Sequence, residues 1–165
     1  MLPEFSPGGL LPPSASGEPY SATIDEIRIV FVEPFPDAPW RLDLFRQWAL
    51  VRAFVESMIP GARWWLWGCF VSNHEEPLFG EYQSLSSLVF LPPVVDLSNE
   101  QVGTLIHFLQ GAEERRRVDV AILFNEIQTQ SFAEAVAKWR RRAQRGVAHH
   151  MSKELVDCGF VEVSQ

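Results

Sequence analysis

The sequence predicts an α/β layered domain. Three observations carry that prediction. Some stretches repeat apolar residues at helical spacing, others are short unbroken apolar runs flanked by turn formers, and the two kinds are interspersed along the chain. The chain has 165 residues, 47% apolar and 21% charged. That composition excludes wholesale disorder and collagen-like sequence, and the length favours one domain with one core.

Residues 1–22 hold five of the twelve prolines. Pro7-Gly8-Gly9 and Pro12-Pro13-Ser14 oppose regular helix or sheet, so an extended or loosely draped N-terminal arm is expected ahead of a single domain over 23–165. Thr23-Ile24-Asp25-Glu26 is a capping box opening a short helix to about Val32, which Pro34, Pro36 and Pro39 end. From Pro39 to Ile59, Leu44, Trp48, Val51, Val55 and Met58 recur at helical spacing. Arg41, Asp43, Arg46 and Glu56 are assigned mostly to the other side, and Pro60-Gly61 stops the helix.

Arg63–Phe70 is short, aromatic and nearly continuous in apolar character, which fits a buried strand. Ser86–Leu91 is a second such run, stopped by Pro92-Pro93. Ser98 with Gln101 caps a helix whose inner stripe is Val102, Leu105, Leu109 and Ala112. Val118–Phe124 is a third strand. Ser131 with Glu134 caps a further helix striped by Phe132, Val136, Trp139 and Ala143, and Gly159–Val163 is a last, weak strand.

No apolar stretch approaches the 18 or more residues of a membrane span, so no membrane association is expected. The first residues lack the basic-then-apolar layout of a secretion signal, and the two cysteines, Cys69 and Cys158, are too few for a disulfide scaffold. A cytoplasmic domain is expected. The net charge of −7 is uneven: residues 1–114 balance to −10 and residues 115–165 to +3. Such asymmetry suggests a partner and leaves room for a local basic patch.

One constellation bears on chemistry. A strand ends in Trp67-Gly68-Cys69-Phe70-Val71 and a polar loop follows. A second strand ends in Leu91-Pro92-Pro93, and a third begins Val118-Asp119-Val120. This arrangement resembles the small nucleotidyltransferases of the polymerase-beta type. There a Gly-Ser pair after the first strand holds the triphosphate, an Asp-x-Asp pair on the second holds metals, and a later strand supplies a third carboxylate.

The arm Leu2-Pro3-Glu4-Phe5 with Gly9-Leu10-Leu11-Pro12-Pro13, the helix start Ala22-Thr23, the strand end Gly68-Cys69-Phe70-Val71 and Pro77 narrow the likeness. Together they resemble uncharacterised bacterial nucleotidyltransferase-like proteins over residues 2 to about 124. The resemblance implies a small mixed sheet flanked by helices.

The departures from that pattern decide the functional expectation. Cys69 replaces the serine of the phosphate-holding pair and weakens its hydrogen bonding. Counting back from Leu91-Pro92-Pro93 puts Ser84 and Ser86 where the metal carboxylates belong. Counting forward from Gly68 puts Phe79 and Glu81 there instead. Only Asp119 stands where the third carboxylate is expected. Nucleotidyl transfer uses metal ions, typically two about 3.5–4 Å apart, and magnesium requires charged oxygen ligands that neutral hydroxyls do not replace. Loss of one electrostatic contributor costs about 10²–10³ in rate.

The expectation is therefore a degenerate nucleotidyltransferase-like domain, a pseudoenzyme with no resident metal or cofactor, acting by binding a partner protein. Relatives with this fold imply a bacterial toxin–antitoxin or phage-defence setting. Two alternatives stand beside it. One is an active, Mg²⁺-dependent transferase using Glu81 and Asp119, with Glu75 or Glu76 helping, on a protein or RNA hydroxyl. The other is an RNA-binding accessory factor using Arg140, Arg141, Arg142 and Arg145, joined by Arg115–Arg117, whose affinity falls with salt.

Each residue also has a purely structural reading. Asp119 can bond a neighbouring loop or pair with Arg115–Arg117, Gly68 can mark a turn, and Cys69 can be a small buried apolar residue. Glu75-Glu76 can be a solvated loop, and the basic run near 140 can complement the C-terminal end of its helix. His74 with Cys69, and His149-His150, lack the further ligands of a zinc site.

Overall fold

The computed structural model describes residues 2–16, 18–68, 70–73, 85–92, 95–116, 118–123, 134, 137–138 and 159–164. Thr23 opens helix α1 (Ile24–Phe31) as the spacing predicts. Its Oγ1 accepts from the Glu26 N–H at 3.2 Å, and the Glu26 carboxylate accepts from the Thr23 N–H at 2.9 Å. Helix α2 (Pro39–Met58) has no side-chain cap. Pro39 starts it instead, with a helix-ready φ and no N–H to satisfy. Gly61, at φ +82°, carries the chain out of the helix in the left-handed region that glycine tolerates.

Ser98 and Gln101 form a second capping box before α3 (Asn99–Arg116). The Ser98 N–H donates to Gln101 Oε1 at 2.9 Å, and the Gln101 N–H donates to Ser98 Oγ at 3.3 Å.

Five strands form one mixed sheet: β1 (Tyr20–Ala22), β2 (Arg63–Trp67), β3 (Leu85–Phe90), β4 (Val118–Leu123) and β5 (Val161–Val163), in the order β1-β5-β2-β3-β4. β2 runs antiparallel to both β3 and β5, while β1/β5 and β3/β4 are parallel pairs. The mixed α/β class expected from the sequence is thus the observed one. β2 stops before the expected Phe70, because Gly68 leaves extended geometry at φ +87°. β1 was not foreseen: it is a three-residue strand inside the stretch read as arm. The helix expected from Ser131 lies outside the described residues except for Glu134, Ala137 and Lys138, all helical.

Helices α1, α2 and α3 pack on one face of the sheet. Trp48 of α2 meets Trp64 of β2 edge-on, with ring centroids 6.2 Å apart, and Phe31, Val55, Leu66, Val89, Val118 and Val161 join the same core. The opposite face carries a separate aromatic set, in which Trp65 lies 4.3 Å from Phe90 and 5.9 Å from Phe160.

The N-terminal arm is extended but not loosely draped. Leu11 is fully buried, which is worth about 1.5–3 kcal/mol. Phe5 packs edge-on against Phe31, and Leu10 bridges Ser72. The Asn73 N–H donates to Gly9 O at 2.9 Å, and the Gly159 N–H donates to Leu11 O at 2.7 Å.

One assignment needs correction. Arg41, placed by its charge on the solvent side of α2, is 0% exposed, and Arg52 is 7% exposed. Both lie on the apolar stripe with Leu44, Trp48 and Val55. For Arg41, polarity misled where position along the helix did not.

Candidate functional site

The strand ends that the sequence singles out come together. Trp67 of β2 is in register with Ser86 of β3, and Ser86 is in register with Asp119 of β4. Residues directly opposite on paired strands share a face of the sheet, so these three side chains form one row across three strands. Their neighbours one step along, Leu66, Leu85 and Val118, belong to the core beneath the helices. The row therefore faces away from α1, α2 and α3.

Within the row, Asp119 is exposed, and Ser86 and Trp67 are half-buried. The indole Nε1 of Trp67 is buried and makes no hydrogen bond. Beside it, Gly68 needs its left-handed backbone more than it needs space: a Cβ there would sit 3.8 Å from Ser86 Oγ, an ordinary contact. Gly68 O then accepts from the Val71 N–H at 3.1 Å, which folds the chain into a turn immediately after β2. On the other face of β3, the buried Ser87 donates through Oγ to Asp119 O at 3.3 Å and ties β4 to β3 at the row.

Behind the turn stands Arg41. Its Nη1 donates to Phe31 O at 3.0 Å and to Phe70 O at 2.9 Å, and Nη2 donates to Ser72 Oγ at 3.4 Å. The guanidinium lies 4.2 Å from the ring centre of Phe35 and 4.7 Å from that of Trp40. Neither Arg41 nor Ser87 was among the sequence-derived site residues. The helical spacing of Arg41 with Leu44 and Trp48 was the available signal for the first. Ser87 had none, because its role depends on strand register.

Of the residues the sequence nominates, the structure brings together Gly68, Ser86 and Asp119. Cys69, Glu81, Ser84, Arg140, Arg141, Arg142 and Arg145 lie outside the described residues, as do Glu75 and Glu76. Among the described residues, no group of three or more His, Cys, Asp or Glu side chains could hold a metal ion. A row of indole, hydroxyl and carboxylate can donate and accept hydrogen bonds. Its single negative charge is a poor match for two divalent cations.

A separate apolar groove of about 220 Å³ lies between α3 and β4, lined by Val102, Leu105, Ile106, Leu109, Val120 and Ile122. Val120 and Ile122 point to the helix side of β4, so this groove is distinct from the Trp67–Ser86–Asp119 row. No helix among the described residues is long and apolar enough to cross a membrane.

The sequence profile of a family of unknown function (DUF6932) matches residues 3–164. No curated protein and no solved structure matches the chain.

Proposed function

For this chain, which belongs to the DUF6932 family of unknown function, we propose a nucleotidyltransferase-like domain that has lost its metal-holding carboxylates and works by binding a partner protein. The observation that carries the reading is the row itself. Trp67, Ser86 and Asp119 stand in register across adjacent strands, with Gly68 immediately after Trp67, and this supports the nucleotidyltransferase resemblance. On the register counted back from Leu91-Pro92-Pro93, neutral Ser86 in that row takes the place of a metal carboxylate.

A hydroxyl does not supply the charge that would draw a magnesium ion and an incoming triphosphate together, so the chemical step loses its largest electrostatic contribution. Binding needs no such charge. Ile29 of α1, Leu50 of α2 and Ile106 of α3 are each at least 50% exposed, and they provide apolar surface for a protein partner. A role in a toxin–antitoxin or phage-defence module belongs to the same proposal.

The test is label transfer. Wild type and Asp119→Asn, each shown to be folded, are incubated in host lysate with magnesium or manganese and each α-labelled nucleoside triphosphate in turn. No labelled band is expected from either. Label on a discrete band with wild type alone would overturn the reading in favour of an active enzyme using Asp119. Failure of the native protein to co-purify stoichiometrically with any protein from its host would refute the partner-binding half.

A further inference from the structure

A fully buried guanidinium is costly to desolvate, and replacing such a group with an apolar side chain of similar volume is often neutral or stabilising. Arg41 also sits in the first turn of α2, where the helix dipole disfavours a cation. The groups that it joins among the described residues help to offset these costs. Phe31 O belongs to the last residue of α1, one of the carbonyls that helix geometry leaves open and where the dipole favours a cation. Phe70 O and Ser72 Oγ belong to the turn that leaves β2 beside Gly68. Ser72 in turn bridges Leu10, and Asn73 bonds Gly9, so the turn carries the N-terminal arm with it.

The chemistry of the side chain matches this task. One nitrogen, Nη1, donates to carbonyls from two distant segments, while the guanidinium carbon lies over the rings of Phe35 and Trp40. A planar fork of donors can do both at once, whereas an ammonium is a point charge.

We propose that Arg41 is a positioning residue, which fixes the turn after Gly68 and the N-terminal arm to the end of α1 as one unit. The turn borders the Trp67–Ser86–Asp119 row, so Arg41 sets the shape of that edge of the candidate site without touching what binds there. This role is independent of whether the row ever held metal, and it can fail while the partner-binding reading survives.

Native-state hydrogen exchange on the full chain tests it, comparing wild type with Arg41→Met and Arg41→Lys. In Arg41→Met, the Val71 and Asn73 amides of the turn and the Ser6 and Gly9 amides of the arm are expected to exchange at least about tenfold faster. The amides of the β3–β4 ladder should change by less than about twofold, because local release leaves the global opening reaction alone. Uniform acceleration across turn, arm and ladder would overturn the proposal, since Arg41 would then contribute only to overall stability. An unchanged turn would overturn it equally. Should Arg41→Met not fold, Arg41→Lys is judged by the same criterion: selective release of turn and arm supports the role, and uniform or absent change refutes it.

Discussion

Gly159→Ala is a sharp probe of how the N-terminal arm is held. The Cβ it introduces would lie 2.5 Å from the backbone oxygen of Pro12 and 3.3 Å from Leu11 side-chain carbons. Ordinary contact begins near 3.4 Å, so the arm backbone must retreat by about 0.9 Å. It cannot do so freely, because Leu11 is fully buried and its carbonyl accepts the Gly159 N–H at 2.7 Å. Overpacking of this kind costs about 1–3 kcal/mol, and a weakened hydrogen bond about 0.5–1.5 kcal/mol. Alanine restricts the unfolded chain and returns about 0.4–1 kcal/mol. The net expectation is a loss of about 0.5–4 kcal/mol.

For a chain of this length, each kcal/mol shifts the melting temperature by about 2–4 °C, so Gly159→Ala should melt about 1–16 °C below wild type by circular dichroism. Gly103→Ala is the control. It lies in α3 with nothing within 4 Å of the added Cβ, so it should gain about 0.5–1 kcal/mol. A Gly159→Ala protein that melts at or above wild type would refute the claim that the arm is rigidly seated against residue 159.

Three further outcomes are expected. Ser86→Asp places a second carboxylate in the row beside Asp119. It should lower the melting temperature in EDTA, and added Mg²⁺ should recover it; a melting temperature indifferent to Mg²⁺ would argue against a vestigial metal row. Thr23→Ala removes the N-cap of α1 and should cost about 1 kcal/mol in urea denaturation. Hydrogen bonding to the Thr23 backbone N–H holds the Glu26 carboxyl below the usual glutamate range. Its contribution to stability is thus complete above the ordinary glutamate pKa and is lost as pH falls through the lowered one, so Glu26→Gln should flatten that part of the acid limb. An NMR titration of Glu26 with an ordinary midpoint would contradict this.

Local chemistry was legible in the sequence and long-range pairing was not. Both capping boxes, Thr23 with Glu26 and Ser98 with Gln101, depend on a spacing of three residues and are visible in one dimension. The same holds for Pro39 at the start of α2 and Gly61 after its end. Tyr20–Ala22 gave no signal, because a strand of three residues carries no periodicity and owes its existence to β5, far along the chain. Arg41 was misplaced because charge was weighed above helical position. Gly68, Ser86 and Asp119 were each nominated by family resemblance, but the alignment of Ser86 and Asp119 into one row, next to Gly68, follows from pairing register that no local pattern encodes.

The position of β5 also bears on the order of assembly. β1 has a single strand neighbour in the sheet, and that neighbour is β5, which lies between it and β2. Residues 20–22 therefore cannot join the sheet until residues 161–163 have docked on β2. Closing so long an intervening stretch carries a large loop entropy, and such distant pairings slow folding. During synthesis, β2, β3 and β4 are made well before their last neighbour, leaving the outer edge of β2 open for the interval. That open edge is a template for wrong pairing, and a nascent chain stalled short of residue 161 would present it.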